Sequence, residues 1–74
     1  MPKIVYDYSK LLGRMREMNY TQNVLSNRIG ISEASLNSKL GNKVDFKQNE
    51  ITRICNVLNI TPELVTVYFF TKAL

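Results

Sequence analysis

The chain has 74 residues, a length that accommodates one small domain with one hydrophobic core. Hydrophobic residues make up 45% of it, enough to fill that core, and the low glycine and proline counts argue against disorder. The single cysteine, Cys55, excludes an internal disulfide, so we expect a reducing cytoplasm. We also expect no membrane contact, because the start MPK lacks a hydrophobic signal segment and the longest apolar run, LVTVYFF, is too short to span a bilayer.

The formal net charge is +4, and all of the excess lies in residues 1–44, which carry seven basic and three acidic side chains. This asymmetry favours an acidic partner, and nucleic acid is the first candidate. A surface whose basic side chains are simply solvated would give the same charge distribution. An enzyme or a metal site is not expected. There is no histidine, the acidic residues are scattered, and Cys55 fits a small core position better than a nucleophile or a metal ligand. No cofactor and no small-molecule substrate are predicted.

The N-terminal third predicts one helix. The segment KIVY is extended in character, and we expect an arm or a lead-in there. Helix 1 follows from about Tyr8 to Met18, where Leu11, Met15 and Met18 recur at helical spacing.

Two short helices come next, joined by Gly30, Ile31 and Ser32. Thr21 is a candidate N-cap for helix 2, with Tyr20 and Leu25 spaced as a hydrophobic staple. Gly30 ends helix 2, because a left-handed residue costs glycine least. Ser32 then caps helix 3, Ile31 and Leu36 form a second staple, and Gly41 with Asn42 ends the helix.

The last third predicts two more helices. Asp45 and Gln48 have the spacing of a capping box, and Ile51, Ile54, Cys55 and Leu58 then follow at helical spacing. Thr61, Pro62 and Glu63 have the order expected of an N-cap, a first helical position and a first turn. The next segment, VTVYFF, would also suit a strand, but the Thr-Pro-Glu start favours a short helix. The sequence therefore predicts an all-α fold of five helices.

The pair of helices at about residues 21–40 predicts a helix-turn-helix. Gly30 allows the turn, Ser26 is small where the helices would cross, and apolar residues on both sides anchor them. In DNA-binding proteins the second helix of such a pair enters the major groove. The alternative is an ordinary helical bundle, because glycine stops and serine caps are common.

The Thr-Gln start of helix 2, the Gly-Ile-Ser turn and the two following helices resemble the Cro/CI-type repressor family. The segments YDYSKLLGRMRE, GISEASLNSKLGNK, FKQNEITRIC and YFFTKAL span the chain and are similar to small Cro-like regulators of Gram-positive temperate phages. The resemblance implies a single lambda-repressor-like, five-helix DNA-binding domain over residues 1–74.

The resemblance also implies roles for individual residues. Gln22 matches a glutamine that touches a phosphate and braces the reading helix. The positions that would face base edges are Glu33, Ala34, Asn37 and Ser38. The positions near the DNA backbone are Ser32, Lys39, Asn42 and Lys43.

Chemistry supports these roles unevenly. Asn37 can pair with adenine and Ala34 can meet a thymine methyl group. Glu33 departs from the neutral glutamine common in the family, and its charge equally suits the first turn of a helix. Asn37 and Ser38 also fit as ordinary solvent-facing residues.

Two functions therefore stay open. The first is a Cro-like transcription regulator of the lysis-lysogeny switch that binds double-stranded operator DNA, as a dimer, through helix 3. The second is an antirepressor that binds the DNA-binding domain of the cognate CI repressor. Helix 3 contains one acid and one base between Glu33 and Leu40, so its net charge is zero. The apolar segment VYFF is larger than a short helix needs to bury. Both observations favour the antirepressor. Core packing of Val65 and of Tyr68 or Phe69 is the alternative explanation for VYFF.

Overall fold

A computed structural model describes residues 4–73 as an all-α fold. Its five α-helices are α1 (Ser9–Glu17), α2 (Gln22–Ile29), α3 (Glu33–Leu40), α4 (Gln48–Leu58) and α5 (Val65–Phe69). A 3₁₀ turn, Pro62–Leu64, directly precedes α5. The predicted all-α fold is thus confirmed, and VTVYFF is helical rather than a strand up to Phe69. None of the helices within residues 4–73 is long and apolar enough to cross a membrane.

One hydrophobic core receives side chains from all five helices. Its fully or almost fully buried apolar members are Tyr8, Leu11, Met15, Leu25, Ile29, Leu36, Ile54, Leu58, Ile60 and Phe69. Each such large side chain stabilises the fold by about 1.5–3 kcal/mol relative to an exposed one. Of the helical repeats expected from the sequence, Leu11, Met15, Ile54 and Leu58 are among these positions, while Met18 and Ile51 are half-buried and pack against them. The apolar spacing therefore correctly indicated which side of α1 and α4 faces inward. Cys55 is half-buried and packs against this core.

The junction between α2 and α3 has the local chemistry that the sequence predicts. The Thr21 hydroxyl accepts a hydrogen bond from the Val24 N–H at 3.2 Å, and the Ser32 hydroxyl accepts one from the Ser35 N–H at 3.0 Å. Gly30 lies in the left-handed region, with φ at 80°. Most L-residues avoid this conformation, so glycine is the residue that can end α2 and redirect the chain within three residues.

Two arginines hold helix ends against their neighbours. The Arg53 guanidinium of α4 donates to the carbonyl of Ile29, the last residue of α2, at 3.0 Å. Arg14 of α1 donates to the carbonyl of Leu58 at the end of α4 at 2.9 Å. These bonds satisfy carbonyls that a helix end leaves free, and they fix α4 relative to α1 and α2.

The predicted capping box of α4 is wrong. Asp45 is exposed, and α4 starts at Gln48 with Lys47 as the residue before it. The Lys47 N–H instead donates to the Glu50 carboxylate at 2.8 Å. The start is shifted because Glu50, unlike Gln48, is buried and supplies the acceptor from inside the fold.

The two terminal segments meet outside the helices. Tyr6 forms an isolated antiparallel bridge with Lys72, flanked by bonds from the Asp7 N–H to the Thr71 carbonyl and from the Ala73 N–H to the Val5 carbonyl. The expected extended arm is therefore present and is paired. Thr61, Pro62 and Glu63 have the expected order of an N-cap, a first position and a first turn, but they belong to the 3₁₀ turn before α5, and the Thr61 side chain makes no cap hydrogen bond.

Candidate interaction surface on α3

Most of the residues assigned to a site lie on or beside α3, but they differ in exposure. Ser32, Glu33, Ala34, Asn37 and Lys43 are exposed; Gln22, Ser38 and Asn42 are half-buried; Lys39 is buried. Leu36, on the opposite side of α3, is fully buried in the core. We call the exposed group Glu33, Ala34 and Asn37 the α3 face.

A chain of polar side chains connects this face to α2. The Asn23 amide donates to the Glu33 carboxylate at 3.2 Å, and the Asn27 amide donates to the Asn23 oxygen at 3.5 Å. Gln22 was expected to brace the second helix, yet the side-chain hydrogen bond from α2 to α3 comes from its neighbour Asn23. The spacing of Asn23 and Asn27 marks a polar side of α2, but the link to Glu33 depends on how the two helices cross.

Lys39, which the resemblance implies lies near the DNA backbone, is buried in the fold. Its ammonium group forms an ion pair with the Glu50 carboxylate at 2.9 Å and donates to the Ser35 hydroxyl at 3.3 Å. The side chains of Lys39 and Glu50 are only 5% and 7% exposed. Buried charges require a partner of opposite charge, and Glu50 at the start of α4 provides it.

The environment of Glu50 keeps its carboxylate ionised. Burial alone raises the pKa of a carboxyl group, but hydrogen bonds from the Lys47 N–H and the Lys39 ammonium, with the charges of both lysines, outweigh it. The pKa of Glu50 therefore lies below its ordinary value. The Glu50 carboxylate is therefore ionised at neutral pH and faces the Lys39 ammonium group within the fold.

Asn42 has a structural contact in place of an open surface. Its side-chain amide accepts a hydrogen bond from the Tyr6 N–H at 2.8 Å and donates to the Tyr6 carbonyl at 3.0 Å. The amide thus pairs with the outer edge of the N-terminal arm as a further strand would. Asn42 adopts a left-handed backbone conformation, with φ at 64°, which asparagine tolerates better than most residues. These bonds attach the arm to the end of α3.

The α3 face therefore offers hydrogen-bonding groups and one negative charge. Within Glu33–Leu40 the only basic side chain is Lys39, which is buried, so no cation of this helix reaches solvent. Exposed cations flank the helix at Arg28, near the end of α2, and at Lys43. Such a face suits a protein surface that carries positive charge or hydrogen-bond donors better than it suits phosphate groups.

A second surface feature lies between α4 and the C-terminal segment. It is an apolar groove of about 520 Å³ lined by Phe46, Gln48, Ile51, Thr52, Cys55, Asn56, Ile60, Pro62, Val65 and Phe70. Burial raises the pKa of the Cys55 thiol, so this thiol is protonated at neutral pH. Of the VYFF segment, Phe69 belongs to the core, while Phe70 is 46% exposed. Across residues 4–73 no cluster of His, Cys, Asp or Glu side chains could hold a metal ion.

The fold and this surface define a small all-α domain in which two short helices, joined by a three-residue turn, present a polar and locally acidic face. The chain belongs to the DUF739 family, described as a protein of unknown function, which it matches over residues 4–72.

One solved structure is similar over nearly the whole chain. It is the solution structure of the modulator of repression (MOR) of the temperate bacteriophage TP901-1 from Lactococcus lactis. The two chains share 38% sequence identity, the match covers 93% of each, and the TM-score is 0.77. The resemblance of the sequence to phage regulators points within that group to a modulator of repression, and this similarity agrees with it. No curated protein matches the chain.

Proposed function

We propose that this protein is a bacteriophage regulator of the lysis-lysogeny switch that acts as an antirepressor. In this proposal it works in the host cytoplasm, binds the DNA-binding domain of the cognate CI repressor through the α3 face, and thereby prevents operator binding. The similarity to a phage modulator of repression supports a role in the repression switch. The choice of a protein partner rests on α3 itself.

The observation that carries the proposal is the buried ion pair of Lys39 and Glu50. A helix that enters the major groove is surrounded by phosphates, and each phosphate neutralised by a lysine or arginine contributes to affinity. Here the basic side chain of α3 is only 5% exposed, while the carboxylate of Glu33 is in solvent. DNA would therefore meet a helix whose exposed charge has the wrong sign.

Charge complementarity indicates the partner. A repressor that binds operator DNA must carry lysines and arginines on its DNA-binding surface. The Glu33 carboxylate can pair with such a cation, and the amide of Asn37 can both donate and accept hydrogen bonds. Occupying that surface would exclude DNA by simple competition, so no change in the fold of the repressor is needed.

Operator binding by a Cro-like homodimer is the second candidate, and the exposed Arg28 and Lys43 at the ends of α2 and α3 favour it. In that case Asn37 would read adenine and Ala34 would meet a thymine methyl group. Asn37→Ala would then cost about 1–3 kcal/mol at one base position and nothing at the others.

One pair of titrations separates the two candidates. The protein is titrated with the DNA-binding domain of the cognate CI repressor, and separately with operator DNA at two salt concentrations. We expect tight binding to the repressor domain and only weak, salt-sensitive binding to DNA. Tight operator binding, with none to the repressor domain, would overturn the proposal and support the Cro-like alternative.

A charge reversal tests whether the α3 face is the contact surface. Glu33→Lys places a cation against the basic surface of the repressor, and we expect affinity to fall by about tenfold or more because like charges face each other. Glu63→Lys is the matched control, since Glu63 is also an exposed acid in a first turn but lies before α5. Equal effects of the two substitutions would indicate general charge rather than contact through α3.

A further inference from the structure

We infer that Glu50 is a specificity-determining residue of this protein: by holding the Lys39 ammonium group inside the fold, it removes the basic side chain of α3 from the surface that DNA would meet. The inference builds on the proposed function, in which α3 contacts a protein rather than DNA. The residue that discriminates against DNA would then be Glu50 of α4, which need not contact DNA or the repressor.

Three contacts fix the arrangement. The Lys39 ammonium lies 2.9 Å from the Glu50 carboxylate and 3.3 Å from the Ser35 hydroxyl, one turn earlier on α3. Glu50 is itself fixed, because its other carboxylate oxygen accepts the Lys47 N–H at 2.8 Å. The short glutamate cannot leave this position without giving up the start of α4, so the ion pair draws the lysine inward rather than the glutamate outward.

Without the negative charge the lysine would not stay buried. A buried ammonium group that loses its counter-ion is strongly unfavourable. Lysine has a long, flexible stem and can keep that stem packed while its ammonium group reaches water. Ser35, the neighbour of Lys39 one turn earlier on the same side of α3, is half-buried rather than buried, so the route to solvent along the helix is short. Neutralising Glu50 should therefore return the cation to the α3 surface.

The variant that tests this is Glu50→Gln. Glutamine keeps an acceptor for the Lys47 N–H, since glutamine and glutamate serve equally at this position of a capping box. Glu63→Gln is the matched control, because it makes the same change in net charge at an exposed acid elsewhere. Lys39→Met in the Glu50→Gln background removes the released cation and keeps the core filled.

The measurement is affinity for a generic DNA duplex across a salt series. One added phosphate contact steepens the slope of log K against log salt by about 0.9, which amounts to about tenfold in affinity at 50 mM salt. We expect this change for Glu50→Gln alone. Glu63→Gln and the double variant Lys39→Met with Glu50→Gln should both keep the wild-type slope.

Two results would overturn the inference. One is an equal gain in Glu50→Gln and Glu63→Gln, which would reflect net charge only. The other is a gain that survives in the double variant, which would show that Lys39 is not its source.

A second variant decides the matter if Glu50→Gln does not fold. Asn37→Lys adds a cation to the exposed α3 face without touching the core, and Asn56→Lys adds one to the exposed side of α4. A steeper salt slope for Asn37→Lys only would support the inference. Equal slopes would contradict it, because a missing cation on α3 would then not limit DNA binding.

Titration of the wild-type protein with the repressor domain keeps this inference separate from the proposed function. Failure of that titration, with the expected DNA slopes, would reject the antirepressor function and leave the role of Glu50 intact. Repressor binding without the change in salt slope would reject the role of Glu50 and leave the antirepressor function intact.

Discussion

The first turns of α3 and α4 each carry a glutamate, and the two glutamates differ in exposure and in hydrogen bonding. Glu33 is exposed and accepts one hydrogen bond, from the Asn23 amide at 3.2 Å. Glu50 is buried and accepts two shorter bonds, from Lys39 at 2.9 Å and from the Lys47 N–H at 2.8 Å. Both are glutamates in a first turn, but Glu33 is the first residue of α3 and Glu50 is the third residue of α4. Position, burial and partners together leave Glu33 available to another molecule and make Glu50 structural.

The difference has an energetic consequence. A solvent-exposed polar contact contributes between nothing and about 1 kcal/mol, because water competes for it. A buried ion pair is different: removing one partner leaves an uncompensated charge in the interior. Substitutions around Glu50 should therefore affect folding, whereas those around Glu33 should affect binding.

The largest effect is expected for Lys39→Met. This substitution strands the Glu50 carboxylate, which is too short to reach water, and should lower the free energy of unfolding by about 3–5 kcal/mol. Glu50→Gln should cost less, since the freed lysine can reach solvent. Urea unfolding followed by far-UV circular dichroism measures both. Adding Glu50→Gln to Lys39→Met should restore most of the loss, and equal costs for the two single variants would contradict the account.

An intermediate effect is expected at the turn that sets the direction of α3. Gly30→Ala forces a side chain into the left-handed region and should destabilise the protein by about 1–2 kcal/mol. The new Cβ would lie 3.6 Å from the Arg53 guanidinium, an ordinary contact, so the cost is in the backbone. Gly13→Ala is the control. It is helical with open space around it and should gain about 0.5–1 kcal/mol. Thermal unfolding measures both variants, and a shift of their Tm values in the same direction would refute this distinction.

The smallest effect on stability is expected for Glu33→Gln. Glutamine keeps an acceptor for Asn23, so only the exposed charge in the first turn is lost, at a cost below about 1 kcal/mol. Binding to the repressor domain should weaken nevertheless, because the charge that would meet a basic surface is gone. Unfolding and binding are measured on the same sample. A loss of stability comparable with that of Lys39→Met would show that Glu33 is as structural as Glu50.

Much of the architecture could be predicted from the sequence, because its signals are local. Thr21 and Ser32 cap the helices they precede, Gly30 ends α2, and Leu25, Leu36 and Ile54 point into the core. The start of α4 was misplaced, since Asp45 and Gln48 have the right spacing but Glu50 has the buried partner.

The candidate site could be predicted only in outline. The exposed positions of α3 follow from its apolar spacing, and a family resemblance named them. The use of Asn42 to bind the N-terminal arm joins residues 36 positions apart, and Asn23 reaches Glu33 across a helix crossing. No local pattern encodes such contacts.

By itself the sequence determined where α2 and α3 begin and end and which side of each helix is apolar, because caps, turns and periodicity act within a few residues. Only the tertiary structure decided which charges face solvent. Lys39 and Glu50 are 11 positions apart and neutralise each other only because α3 and α4 pack together. The electrostatic character of α3, on which the proposed protein partner rests, is therefore a property of the packed molecule: a charge acts on a partner only when it is exposed.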